Sequence, residues 1–421
     1  MVCYNTLKEN KEVACIGKGN VMKAKLRVMA SVIKNCLIKT VSLIFYLFPI
    51  NKKKIVVYNF AGNGYGDNPK YLIKEIVKYG DYKIIWCVKN LDQDMPAFIK
   101  KVKYNSLCSM YHMITAKLWI DTIRNNPRPL FKRKKQVYIQ TWHGGIFIKG
   151  QEKDAEDTLS KKYIKSAKRD GKLTDYMLSN CKKRTQLIQS SFWYNGKILE
   201  FGVPRDDVLF IPNKKEIDAF KKKYGIEDKK ILLYAPSFRN NKDFYKNLKF
   251  NINKLMQSVG KKFGDNYVFC IKLHPNDSQL TELKDFNNVI NFSAESDSQL
   301  ILSASDIVIS DYSSMFLDFL LTKRPAFIFA PDYDEYIKKE RNLYVDISNI
   351  GIPFAKNFND LLREVDNFDQ NNYKANVEKF IEYYEIFENG NSSSKIVKYL
   401  KEEKYTQTLG QLFFLPLKIL S

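Results

Sequence analysis

The chain has 421 residues, of which 45 % are apolar and 27 % charged, with 28 Phe and 26 Tyr. That length fits two or three domains, and so many large aromatics exclude a disordered chain, because they supply the burial that offsets ordering entropy. Lys and Arg outnumber Asp and Glu by 69 to 46, a net charge of +23, which points to a polyanionic partner and leaves nucleic acid, an anionic membrane and a phosphate-bearing substrate open.

Residues 1–20 show no periodicity and are read as disordered. From Val13 to Gly66 there is no Asp or Glu, and the Lys and Arg of this stretch carry +9. Leu26, Met29, Ile33, Leu37, Val41, Ile44 and Phe48 recur at helical spacing, with Lys23, Arg27, Ser31, Lys34 and Ser42 on the opposite face. The pattern predicts a basic amphipathic, membrane-associating helix within 21–54, suited to an anionic membrane surface. The alternative is a helix packed on the body of the protein with a solvated basic face. The apolar run Val41–Ile50 is shorter than the about 20 residues that span a bilayer. It also lacks a small-residue cleavage site, because Asn51-Lys52-Lys53-Lys54 follows it.

After Lys54 short apolar runs alternate with helical stretches. Strands are predicted at 55–60, 83–88, 136–140 and 175–178, with a helix near 69–79. A charged run, Lys221-Lys222-Lys223, and Gly225 interrupt the pattern. Strands are predicted again at 231–235, 267–273, 289–292, 306–310 and 326–330, with helices near 251–263, 298–303 and 314–322. Such alternation predicts two α/β domains built on parallel sheets, over 55–212 and 225–400. Two such halves leave a cleft, and ligands of open parallel sheets sit beyond the carboxyl ends of the strands. The tail 401–421 contains the apolar segment Gln411–Leu420, a candidate for a second membrane or docking segment.

Seven Cys, none with C-x-x-C spacing, argue against a disulfide framework or zinc ribbon, and no metal motif occurs. Of the three His, two fall at predicted strand ends. His143 lies in Gln140-Thr141-Trp142-His143-Gly144-Gly145, followed by Lys149; neutral imidazole there is a candidate base for an attacking hydroxyl. His274 follows Lys272-Leu273 and precedes Pro275. His112, in a helical stretch, is read as structural. Ser310-Asp311-Tyr312-Ser313-Ser314 joins a strand to a helix: Ser313 or Ser314 caps the helix, whose N-terminus favours a phosphate. An ordinary cap is the competing reading. Asp318, one turn on, is a candidate acceptor for ribose hydroxyls. Arg239, just past a strand, is a candidate phosphate ligand. The cluster Gly62-x-Gly64-x-Gly66 has the wrong spacing for a dinucleotide loop and reads as a turn.

Together these segments resemble the CDP-glycerol:polyglycerophosphate glycerophosphotransferase family. The matches run in order: Asp67-Asn68-Pro69-Lys70, Tyr82–Trp86, Ala116–Asp121, Gln140–Gly144, Glu200–Asp207, Tyr234–Arg239, Lys272–Pro275 and Ile309–Tyr336. They span about residues 55–350. The resemblance implies a GT-B-like fold of two Rossmann-type domains, with the second holding the nucleotide. It implies transfer of glycerol phosphate from CDP-glycerol to a hydroxyl of a lipid-linked polyol-phosphate or saccharide acceptor, with release of CMP. It implies no cofactor, no nucleic acid and a peripheral place on the cytoplasmic face of the cell membrane. Carried over by position, His143 is the general base, His274 serves the donor pyrophosphate or leaving phosphate, and Ser313, Ser314 and Arg239 are phosphate ligands. Asp311 and Lys149 complete the expected substrate-binding set. Many members have His-Gly-Thr-Pro-Leu-Lys where this chain has His143-Gly144-Gly145-Ile146-Phe147-Ile148-Lys149. A related transferase using CDP-ribitol or a nucleotide-sugar is the alternative within the fold, and a non-catalytic basic binding protein the alternative outside it.

Overall fold

The computed structural model describes residues 35–237, 250–273, 289–339 and 343–402, together with Met29 and Ile33. Thirteen strands among them form two sheets. The first holds β1 (Asn51–Tyr58), β2 (Lys83–Val88), β3 (Ile99–Lys103), β4 (Ala116–Asp121), β5 (Val137–Gln140), β6 (Tyr176–Leu178) and β7 (Lys197–Leu199). The second holds β8 (Lys230–Ala235), β9 (Tyr267–Ile271), β10 (Ile290–Asn291), β11 (Ile307–Ser310), β12 (Ala326–Phe329) and β13 (Phe354–Ala355). The orders are 3-2-1-4-5-6-7 and 10-9-8-11-12-13, and every pair is parallel. Each half is thus a doubly wound sheet whose order reverses beside its first strand, at β1/β4 and at β8/β11.

The central strands are buried on both faces, as helices on both sides of a parallel sheet require. Val56, Val57, Leu232, Leu233 and Ile309 are fully inaccessible. β1 begins four residues before the predicted Ile55, taking in the lysine run. Lys54 is buried there because its ammonium donates to Thr115 Oγ1 (2.7 Å) and lies over the Tyr111 ring. Strands β3, β4, β7 and β13 are not among those predicted: β3 is lysine-rich, β4 runs on directly from the helix Leu107–Thr115 without a turn, and the other two are very short.

The helices needed below are α1 (Asp67–Ile76), α2 (Leu107–Thr115), α3 (Lys182–Ser191), α4 (Ser298–Ala304), α5 (Ser314–Leu320) and α6 (Ser392–Glu402). The last of these returns to the first half. Ile396 and Val397 join the core under β1, β4 and α1, and Asp207 accepts the N–H groups of Ser392 and Ser393 at the helix start (2.7 and 2.8 Å).

The described part of the predicted amphipathic segment is helical at 35–41 and continues as a 3-10 turn over Ser42–Leu47. It touches the body through Ile38, packed on Met110 and Ile114 of α2, and through Phe45 and Tyr46. The apolar stripe itself is exposed at Met29, Ile33, Leu37, Val41, Ile44 and Phe48, Leu37 to 60 % and Ile44 to 59 %, and Phe48 also meets the Tyr111 ring edge-on at 5.7 Å. Phe131, also exposed, stacks on Tyr46 and extends the apolar surface. Among the described residues no helix is long and apolar enough to cross a membrane. Residues 1–20 and the tail segment 411–420 lie outside the described residues.

Candidate active site

β4 ends at Asp121 and β5 at Gln140, so the segments after them emerge side by side at the carboxyl edge of the first sheet. His143 sits there, half-buried. Its Nδ1 is 2.9 Å from the Thr122 carbonyl oxygen. A carbonyl only accepts, so Nδ1 carries the proton and Nε2 keeps its lone pair. Trp142 stacks on the imidazole at 4.9 Å and Phe60 meets its edge at 5.6 Å. Trp142 itself has φ +58, a left-handed conformation uncommon for a bulky residue. It is held by Gln140 Oε1, which accepts its N–H (3.0 Å), and by Asn68 of α1, which donates to its carbonyl (3.3 Å). Burial pushes the imidazolium pKa down to about 3, and the positive fields of Arg205 and Arg184 add to the fall. The ring is therefore neutral at physiological pH, the state a base requires.

The turn after His143 meets the second half. Gly144 has φ +91, and a Cβ there would lie 3.0 Å from Ser314 Oγ. A Cβ on Gly145 would lie 2.6 Å from Asp318 Oδ1 and 2.9 Å from Asn180 Nδ2. The two glycines thus permit a backbone approach that no larger residue allows without displacing those groups. Ser313 caps α5, its Oγ accepting the Met315 N–H (3.3 Å), and both Ser313 and Ser314 are part-exposed. His143 and the Ser313–Ser314 corner, 170 positions apart in numbering, are thereby brought to one place.

Other expected site residues take different places. Asp318 does not face a ligand: it is 2 % exposed, receives the Arg205 guanidinium and accepts from Gln299 Nε2 (3.2 Å). The expectation of a ribose acceptor at Asp318 is corrected accordingly, because both of its neighbours are themselves buried and Arg205 ties it to the opposite half. Asp311 is also buried and accepts the Ser237 N–H (2.8 Å), joining the segments that follow β11 and β8. Lys149 pairs in a short antiparallel bridge with Leu343, and its ammonium lies 5.0 Å from the Tyr336 ring, which stacks on Tyr312 at 3.6 Å. His274 and Arg239 lie outside the described residues. Lys272, two residues before His274, is buried and donates to the Glu295 carbonyl (2.8 Å); burial brings its pKa down to about 8. His112 is buried in α2, its ring 5.2 Å from that of Tyr111.

Two arginines carry more of the site than the sequence indicated. Arg205 donates to Asp67 (3.3 Å) and to Asp318 across the halves, with Asp206 at 3.6 Å. Arg184 of α3 is 1 % exposed and donates to the carbonyls of Gly144, Gly145 and Thr141. The run Glu200–Asp207 contained a signal for Arg205; nothing local marked Arg184. The glycine cluster at 62–66 is no phosphate cradle: a Cβ on Gly64 would lie 2.4 Å from Ser296 Cβ and one on Gly66 2.8 Å from the Ser296 carbonyl oxygen. Those glycines let the first half abut the second.

Two doubly wound sheets, with a neutral imidazole at the carboxyl edge of one and a capped helix start of the other set against it, define a GT-B-like group transferase. The model of the CDP-glycerol:poly(glycerophosphate) glycerophosphotransferase family matches residues 40–402, and the chain belongs to that family. It is 29 % identical over 390 residues to a teichoic acid poly(glycerol phosphate) polymerase of Bacillus spizizenii, covering 87 % of this chain and 97 % of that protein. It is 31 % identical over 363 residues to a protein of the same description from Staphylococcus epidermidis, covering 82 % of this chain but only half of that one. Among solved structures it resembles the wall teichoic acid polymerase TagF, with a TM-score of 0.77 and 29 % identity over 94 % of this chain and all of the other.

Proposed function

We propose that this protein transfers glycerol phosphate from CDP-glycerol to a hydroxyl of a lipid-linked polyol-phosphate or saccharide acceptor, releasing CMP. The observation that carries the reading is the orientation of His143: Nδ1 is engaged by Thr122, so Nε2 is the free, basic nitrogen, beside the Gly144–Ser314 contact. In the proposed step Nε2 takes the proton of the acceptor hydroxyl as that oxygen attacks the glycerol-bearing phosphorus of the donor. The new P–O bond forms as the pyrophosphate P–O bond breaks, and CMP leaves with its electron pair. Phosphoryl chemistry of this kind needs positioning and charge neutralisation more than covalent catalysis. Ser313, Ser314 and the first turn of α5 would hold donor phosphate, with Lys149, Arg239 and His274 supplying charge and protons. Closure of the two halves over the cleft would exclude water, which otherwise competes as nucleophile.

The exposed stripe from Met29 to Phe48 supports a peripheral place on an anionic membrane, on the cytoplasmic face where a nucleotide-activated donor is available. The basic residues of that segment add electrostatic attraction. Incubation with CDP-glycerol, CDP-ribitol and UDP-sugars and a defined lipid-linked primer tests the reaction. CMP release with CDP-glycerol alone, and a product one or more glycerol phosphate units heavier, is the expected result. Turnover of CDP-ribitol or a UDP-sugar in its place, or of none, rejects it.

A further inference from the structure

Buried guanidinium groups are ordinarily matched to carboxylates, because an unpaired buried charge is costly. Arg124, Arg128 and Arg205 obey this rule, each with at least two carboxylates. Arg184 does not. Among the described residues no carboxylate oxygen lies within ion-pair distance of it, although it is 1 % exposed. Its donors go instead to the backbone oxygens of Gly144, Gly145 and Thr141 (3.4 Å for the last), and its guanidinium lies 4.7 Å from the centre of the Phe147 ring.

Those three carbonyls belong to the peptides on either side of His143. They lie in a turn with φ +58 at Trp142, uncommon for a bulky residue, and φ +91 at Gly144. A planar fork with several donors can gather three carbonyls at once, whereas an ammonium cannot match that pattern. The helix that carries Arg184 is fixed in turn: Cys181 caps its start, accepting the Arg184 N–H (3.3 Å), and Phe192 at its end packs on Trp142.

We propose that Arg184 is a positioning residue for the transfer: by holding the Thr141, Gly144 and Gly145 carbonyls, it fixes where His143 presents Nε2 to the acceptor hydroxyl. The proposal rests on the reading of His143 as the base. A residue that merely stabilised the fold would lower the folded fraction and leave the properties of the folded enzyme alone. Arg184 acts on the folded enzyme through the geometry of the turn and through its charge. Among the described residues Arg205 and Arg184 both act on the imidazole with positive charge. Removing one of them raises the basicity of Nε2.

The test uses the full chain with CDP-glycerol and a lipid-linked primer, comparing Arg184→Lys, Arg184→Gln and His143→Ala with the wild type. Arg184→Lys keeps the charge and loses the fork: kcat is expected to fall about tenfold or more, with KM for CDP-glycerol within twofold and the acidic limb of kcat/KM unmoved. Arg184→Gln is expected to lose at least as much kcat and to move that limb to higher pH. A folded Arg184→Lys enzyme with kcat within twofold of wild type overturns the proposal. So does a loss that merely follows the folded fraction measured by circular dichroism. If Arg184→Gln does not fold, Arg184→Lys alone decides. His143→Ala separates the two readings: normal turnover in that variant removes His143 as the base, whereas its inactivity together with an unaffected Arg184→Lys removes only the role of Arg184.

Discussion

Two buried polar networks lie near the His143 loop, and they differ in how fully their groups are matched. The first is internal to the first half. Arg124 pairs with Glu152 (2.8 Å) and Asp170 (3.3 Å), Arg128 pairs with Asp170 (2.9 Å) and Asp121, and Tyr138 donates to Asp170 (3.1 Å). The second joins the halves through Arg205, Asp67, Asp206, Gln299 and Asp318, with Asn180 and Arg184 beside it. No buried side-chain atom of the first network lacks a hydrogen-bond partner, whereas Asn180 Oδ1, Arg184 Nε, Arg205 Nε, Asp206 Oδ2 and Gln299 Oε1 of the second do. A satisfied network recovers the desolvation its charges lose, and an under-satisfied one does not. The first network therefore acts as a floor behind Thr122 and Gln140, two of the residues that orient the His143 loop. The second is a junction whose like-charged members strain one another: burial and the nearby Asp318 both hold the Asp206 carboxyl well above its usual range.

The largest expected effect comes from breaking the floor. Arg128→Ala leaves Asp121 without its guanidinium and Asp170 with Arg124 alone, at a cost of about 3–5 kcal/mol, read as a lower denaturant midpoint. Next is His143→Ala, which should cut turnover about 100-fold, the usual scale for a general base, without moving that midpoint. Paired isosteric changes sharpen the comparison more directly. Asp170→Asn in the floor is expected to cost about 2 kcal/mol, because charge-assisted bonds to two arginines weaken. Asp318→Asn at the junction is expected to cost less than about 1 kcal/mol, because it also relieves the repulsion with Asp206. Equal losses in the two variants would dissolve the distinction drawn between the networks.

The acid response is a further check. The folded-state pKa of His143 lies at about 3, below the ordinary value near 6.5. The unfolded chain therefore takes up this proton first, and the contribution of His143 to stability is lost as pH falls from 6.5 towards 3. For the same reason the acidic limb of kcat/KM should show no titration near 6.5 from this group. A limb at 6.5 that disappears in His143→Gln would contradict the burial argument. The smallest effect on the fold, under about 0.5 kcal/mol for an exposed site, is expected from Leu37→Glu with Ile44→Glu. That pair should nevertheless abolish retention on vesicles containing phosphatidylglycerol, and undiminished binding would remove the exposed stripe from a membrane role.

Several features were legible in the sequence because they are local. The alternation of apolar runs and helical stretches gave the parallel α/β class, since strand and helix periods are read from neighbours along the chain. Gln140-Thr141-Trp142-His143-Gly144-Gly145 marked the loop, because paired glycines after a strand announce a close backbone approach. The stripe from Met29 to Phe48 was legible as an apolar face, but its direction was not: Ile38, Phe45 and Tyr46 make the contact with the body, and the stripe is left exposed.

The amino-acid sequence by itself determined the kind of halves, the order of the family's motifs and the imidazole candidate for the base. Only the tertiary structure decided which carboxylates are free to meet a ligand and which are committed. Asp318 looked available one turn after Ser314, yet its partner Arg205 lies 113 residues away. Arg184 carried no local mark, and its value comes from three carbonyls about 40 positions earlier. The return of α6 to the first sheet was equally hidden. For Asp318 and Arg184 the reason is that a charged side chain costs little in water and much in the interior, so its role is set by the partners that burial gives it. Those partners are chosen by the packing of distant segments.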